Sequence, residues 1–129
     1  MADTLKFSLV SPERELYSGE VDQVDLPGAE GDLGIMPNHS PFMAAMRTGI
    51  VTVTESGSET QFFIQGGFAD VTPSGLIVLA ERAVDIAALD KAEIEEQITA
   101  VEENLSGLSG DAAFTARQNL DGLRAVLVA

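Results

Sequence analysis

His39 is the chain's only histidine and stands in the run Pro37-Asn38-His39-Ser40-Pro41. An imidazole beside a hydroxyl suggests a general base. Nucleophilic catalysis needs a nucleophile, a base and an orienting carboxylate together. No Ser-His-Asp or Cys-His constellation can be assembled around His39, so a catalytic role is set aside. Between two prolines, the imidazole can simply satisfy backbone groups of its own loop. The chain has no cysteine and one histidine, which excludes thiolate sites and His-rich metal clusters. Asn38-His39-Ser40 and Asn104-Leu105-Ser106 match glycosylation acceptors, but no secretory signal accompanies them, and they are read as chance.

Upstream of the histidine lies the most unusual stretch, Leu26 to Pro41, with Gly28, Gly31, Gly34, Pro27, Pro37 and Pro41. Such residues hold a path that ordinary side chains would not follow. It is no phosphate-cradling loop, because the Gly-Lys-Ser/Thr signature is missing and no lysine is near. Gly28-x-x-Gly31-x-x-Gly34 also fails the dinucleotide fingerprint, which needs a strand-turn-helix setting. Glu30 and Asp32 form an acidic pair in this stretch, which an ordinary solvated turn would explain.

The elements around these residues fall into two halves. Residues 1–86 read as strands and turns. Leu5, Phe7 and Leu9 alternate with polar residues at period two. Val21, Val24 and Leu26 follow with an irregular step that suggests a bulge. Ile50–Thr54 and Gln61–Ile64 flank a hairpin turn at Ser56-Gly57-Ser58. Phe68–Val71 and Leu76–Leu79 form a second pair around Pro73-Ser74-Gly75. Many short strands with frequent turn signals predict a β-sandwich or flattened barrel.

Residues 87–129 predict a helix-turn-helix hairpin. Ile94, Ile98, Val101 and Leu105 make one apolar stripe, opposed by Glu95, Glu96, Glu102 and Glu103. Asp90 is the expected N-cap, with Glu93 completing a capping box and Leu89 and Ile94 a hydrophobic staple. Ser106-Gly107-Leu108-Ser109-Gly110 breaks the helix. A second helix presents Ala113, Ala116, Leu120, Leu123 and Leu127, with Gly122 inside it at about 1 kcal/mol relative to alanine. A hairpin of about 40 residues seldom has enough core to stand alone. Its stripes must bury against each other, the sandwich or another chain.

At 129 residues the chain can bury about two-thirds of its unfolded surface. The net charge of −14, from 21 acids against 7 bases, disfavours nucleic acid and anionic membrane surfaces as partners. The longest apolar runs fall well short of the roughly 20 residues a bilayer requires. The N-terminus has no basic start or apolar signal core, so a cytoplasmic location is expected.

Four motifs in order resemble the epsilon subunit of bacterial F-type ATP synthases. They are Val10-Ser11-Pro12 with Tyr17-Ser18-Gly19-Glu20-Val21; Asp32-Leu33-Gly34-Ile35-Met36-Pro37-Asn38-His39-Ser40-Pro41; Gly66-Gly67-Phe68-Ala69-Asp70-Val71; and Val78-Leu79-Ala80-Glu81-Arg82-Ala83. The likeness extends over essentially the whole chain, tail included. It implies a non-catalytic rotor subunit without a cofactor, linking the gamma subunit to the c-ring. That would couple proton (or sodium) translocation to ATP synthesis at the cytoplasmic face of the inner membrane. Ser11, His39, Met43 and Ala44 would face gamma, and Glu30, Gly31 and Asp32 would meet the c-ring.

Some members of that family bind ATP through Ile/Leu-Asp-x-x-Arg-Ala. The matching stretch is Leu89-Asp90-Lys91-Ala92-Glu93-Ile94, where Leu89 and Asp90 agree but Glu93 replaces the arginine. A carboxylate there repels phosphate, so weak or absent ATP binding is expected. Other members inhibit hydrolysis by reaching the alpha and beta subunits with a basic second helix. Here Arg117 and Arg124 are offset by Asp111 and Asp121, and any inhibition should be feeble. The competing reading is an acidic β-sandwich that binds an unrelated protein; a small hydrolase lacks both a nucleophile-base pair and a metal set.

Overall fold

A computed structural model describes residues 4–38, 40–73 and 75–128. Eight strands come first: β1 (Leu5–Val10), β2 (Glu15–Val21), β3 (Gln23–Gly28), β4 (Gly31–Ile35), β5 (Phe42–Met46), β6 (Gly49–Glu55), β7 (Ser58–Thr72) and β8 (Gly75–Asp85). A 3-10 turn at Ile86–Ala88 leads to α1 (Lys91–Leu105) and α2 (Gly110–Leu127). The strand path is β2-β1-β8-β7-β5-β3-β4, with β6 bridging β3 and β7. β1 and β8 are parallel, and the other pairs are antiparallel.

The period-two pattern of β1 sends Leu5, Phe7 and Leu9 inward, where they meet Val24, Leu26, Val51, Val53, Phe62, Ile64 and Val78 in the main core. Tyr17 packs beside this core, its ring 5.6 Å from Phe7 and 6.1 Å from Phe62 between centroids. Its hydroxyl donates to Glu55 Oε2 at 2.8 Å. Burial, then the hydrogen bond to Glu55 and the charge of that carboxylate, push the phenol above its ordinary value of 10.0. The folded state thus holds this proton more tightly than the unfolded chain. Its contribution is complete below about pH 10 and lost as pH rises through the folded pKa. Urea unfolding at pH 8 and pH 11 should show a steeper alkaline loss for the parent than for Tyr17→Phe; equal losses would contradict this.

Several sequence expectations change on folding. The step from Val21 to Val24 is a corner at Asp22 between β2 and β3, not a bulge, and the register shift instead lies at Leu9/Val10 in β1. The turn after β6 needs only Ser56 and Gly57, both with positive φ (50° and 83°), because Glu55 already pairs with Ser58. Gln61–Ile64 and Phe68–Val71 belong to one 15-residue strand, β7. The glycine pair between them passes through the strand instead of breaking it. At Gly67 φ is 126°, and a Cβ would stand 2.1 Å from the Leu79 carbonyl oxygen. The Leu26–Pro41 stretch is largely a two-strand ribbon, β3 and β4, closed by the pair Gly28↔Gly31.

The helical hairpin lies on the body. Phe63, Ile94, Leu123 and Val126 form a second core, joined by Ile50, Val84, Leu89 and Ile98. Asp90 caps α1, accepting from the amides of Ala92 (3.0 Å) and Glu93 (3.5 Å). The Glu93 carboxylate pairs with Arg82 of β8 and does not reach back as a capping box would. Gly122 rests against the backbone of Thr48, where a Cβ would stand 2.1 Å from the carbonyl oxygen. Ala116 is only half-buried, and Gly122 and Val126 take part in the buried face that the sequence pattern had given to it.

Candidate protein-docking site

β5, β7 and β8 lie side by side, and their pairing brings four large apolar residues together on the outer face. Phe68 pairs with Leu79 and Ala45; Asp70 pairs with Ile77 and Met43. Met43 is 70% exposed, Phe68 56%, Leu79 54% and Ile77 47%. Val10 of β1 pairs with Leu79 and extends the strip to a fourth strand. Asp70, exposed between Met43 and Ile77, interrupts one row, while Ala45, Phe68, Leu79 and Val10 form an unbroken one. Clustered apolar surface, unlike isolated exposed residues, marks a site of macromolecular contact.

The sequence carried a signal for this face that strand assignment alone passed over. Leu76-Ile77-Val78-Leu79-Ala80 does not alternate. An unbroken apolar run belongs to a strand covered on both faces. Phe62-Phe63-Ile64 is a second such run, and there the cause is visible: Phe62 and Ile64 enter the main core while Phe63 meets the helices. For Ile77 and Leu79 no described residue supplies the cover.

A groove of about 510 Å³ separates β5 from the β3–β4 ribbon, with Glu30, Asp32, Met43 and Ala44 among its lining residues. The acidic turn is braced by Arg47. Its guanidinium donates to the Gly28 carbonyl and, through Nη2, to Asp32 Oδ1 at 2.6 Å. Asp32 is therefore engaged, and Glu30 is the exposed carboxylate at the tip with no ion pair among the described residues. Gly31 closes the ribbon with φ of 149°.

The residues expected to face one partner are divided by strand geometry. Met43 and Ala44 are neighbours in β5, so their side chains leave on opposite faces; Ala45, not Ala44, shares the face of Met43. Ser11 closes the β1–β2 connection, its hydroxyl donating to the Arg14 carbonyl at 3.2 Å, beyond Val10 at the end of the strip. His39 lies outside the described residues. Leu89 and Asp90 serve as staple and cap of α1. The hollow beside them measures about 100 Å³, and the Arg82 guanidinium at its rim is taken by Glu93. Among the described residues no three His, Cys, Asp or Glu side chains group as metal ligands, and no helix is long and apolar enough to cross a membrane.

With Phe68, Ile77 and Leu79 open to solvent on the face of its sheet, the β-sandwich presents a surface suited to receiving another macromolecule. This chain belongs to the ATP synthase delta/epsilon chain family: the model of its β-sandwich domain matches residues 4–86. The chain is 45% identical to the ATP synthase epsilon chain of Parvibaculum lavamentivorans over 126 residues, covering 96% of each. It is 50% identical to that of Maricaulis maris over 106 residues, covering 82% of this chain and 80% of the relative. Its fold is similar to a chain of the Euglena gracilis mitochondrial ATP synthase structure of OSCP, F1 and c-ring (TM-score 0.78, 16% identity, 97% of this chain and 80% of that one). A chain from the central stalk and c-ring of the Tetrahymena thermophila enzyme is also similar (TM-score 0.64, 15% identity, 98% and 96%).

Proposed function

We propose that this chain is a non-catalytic central-stalk subunit of an ATP synthase, bound to the gamma subunit through the outer face of β5, β7 and β8. The single observation that carries the reading is the uncovered strip Met43, Phe68, Ile77 and Leu79, on a chain whose relatives are named ATP synthase epsilon chains. The acidic turn at Glu30, Gly31 and Asp32 would meet the c-ring, with Glu30 offering the free charge to basic or polar loops there. Ser11 and His39 would add to the gamma contact, and Ala44 would line the groove between the two surfaces. Held this way, the subunit joins ring and shaft so that ion translocation is coupled to ATP synthesis. It would sit peripherally on the cytoplasmic face of the inner membrane.

The two-domain division at residues 86 and 87 is part of this proposal, with the body docking and the hairpin regulating. Contact of the hairpin with the alpha and beta subunits should inhibit hydrolysis only feebly, since Arg124 is already paired with Glu102 at 2.8 Å. Nucleotide binding at Leu89 and Asp90 is not expected. The hollow there is far below the roughly 300–1,000 Å³ of ordinary small-molecule sites, and Glu93 adds repulsion. Calorimetry with ATP should give no saturable heat at micromolar concentrations; a dissociation constant in the low-micromolar range would contradict this. The function itself is tested by co-purification. The chain should travel with an alpha/beta/gamma assembly at one copy per gamma, and separation from that assembly would remove the proposal.

A further inference from the structure

The acidic turn is braced from two sides, and one of them is the helical hairpin. The Arg47 side chain holds the Gly28 carbonyl and Asp32, while its own amide donates to the Pro27 carbonyl at 2.9 Å. The Ala29 amide donates to the Ala45 carbonyl at 2.9 Å. The Ala29 carbonyl is reached from the other side by α2, where Gln118 Nε2 donates to it at 2.9 Å. One residue later on the same helix, Asn119 Oδ1 accepts from Thr48 Oγ1 at 2.6 Å, and Gly122, one turn further on, rests on the Thr48 backbone. Thr48 directly follows Arg47 in the chain. α2 therefore touches both the turn and the segment that braces it.

We infer that Gln118 is a positioning residue for the acidic turn, so that the docked hairpin sets the conformation in which Glu30 is presented. This rests on the reading of that turn as the ring-facing surface, and deepens it. A side-chain amide donor fixes the Ala29 carbonyl and with it the peptide plane leading into Glu30. When α2 is in place the turn has its full set of contacts. When α2 leaves, the Ala29 carbonyl loses this donor and the Thr48 contacts go with it. Binding free energies are reciprocal, so whatever seats on the turn favours the docked hairpin by the same factor that docking favours seating. The hairpin and the ring-facing surface are thus coupled through two hydrogen bonds, at Ala29 and at Thr48, and the packing of Gly122 on the Thr48 backbone.

The test is amide hydrogen exchange on the full-length chain, comparing Gln118→Met with Gln65→Met. The first replacement keeps side-chain length and removes the donor to Ala29. The second removes a comparable bond between body and hairpin, Gln65 Nε2 to Gln97 Oε1 at 2.8 Å, on the α1 side. In Gln118→Met, amides 28–33 should exchange about fivefold faster, the scale of one net hydrogen bond. The α2 amides around Leu123 should keep their protection and show that the fold is intact. In Gln65→Met, exchange over 28–33 should match the parent. Unchanged exchange in Gln118→Met, or equal acceleration in both variants, would overturn the inference. Since the free chain is measured, this outcome is separate from whether the turn meets the c-ring, which Glu30→Lys in the assembled enzyme addresses.

Discussion

Replacing Gly122 with alanine is expected to loosen the docked hairpin, although alanine is the better helix former. Propensity alone predicts a gain of about 1 kcal/mol from this exchange in a helix interior. Packing predicts the opposite. The new Cβ would stand 2.1 Å from the Thr48 carbonyl oxygen and 2.6 Å from its carbon. Both are backbone atoms of the bend just before β6, and no rotamer change relieves the clash. Overpacking in a closed contact costs about 1–3 kcal/mol and sometimes more. The contact here is shorter than ordinary crowding, so the upper end applies and packing wins by about 2 kcal/mol. Protection of α1 and α2 amides should fall about thirtyfold, while the β1–β8 core keeps its own. An increase in hairpin protection would show that α2 does not sit on Thr48.

Met43→Asp and Phe68→Asp should leave the free chain intact and weaken its attachment to gamma. Both side chains project outward, so their replacement in the unbound protein should cost only about 1 kcal/mol, from the poor strand propensity of aspartate and, for Met43→Asp, from the like charge of Asp70 directly opposite. In a closed apolar contact the same carboxylate must lose its water without gaining a partner. Even partly relieved, this costs several kcal/mol; about 3 kcal/mol would weaken binding more than a hundredfold. Titration calorimetry with gamma, beside urea unfolding of the free variants, separates the two effects. Strong destabilisation of the free chain would mean the strip serves the fold and not a partner.

Both results turn on faces that the sequence shows only indirectly. β1 was legible because Leu5, Phe7 and Leu9 alternate and all three enter the core. The start of α1 was legible because capping is local, and Asp90 performs it. β5 was not, because Phe42-Met43-Ala44-Ala45-Met46 is apolar on both parities and carries no period. Gln61–Ile64 and Phe68–Val71 look like separate strands by pattern; only the close approach of Leu79 from β8 explains why one strand runs through Gly66 and Gly67. Gly122 read as a local cost because its reason is Thr48, 74 positions away in the sequence.

The acidic turn shows the same division. Glu30 and Asp32 are equivalent as letters, and either would serve a basic partner. Arg47 makes them different by engaging Asp32 and leaving Glu30 open. Glu93 likewise fits a capping box by spacing, yet Arg82 arrives from β8 and takes its carboxylate. Long-range ion pairs leave no mark in local spacing, which is why the motifs reached the family before they reached the individual roles.

The most direct measurement is the oxidation of Met43 by dilute peroxide, free and in the assembled enzyme. Thioether oxidation follows exposure, and Met43 is open in the free chain while Met46, in the same strand, is buried with only 6% exposed. Free protein should form sulfoxide at Met43 readily and at Met46 slowly. On assembly with gamma, Met43 should become nearly as slow as Met46. Oxidation of Met43 at its free rate inside the complete complex would contradict docking through the β5–β7–β8 face.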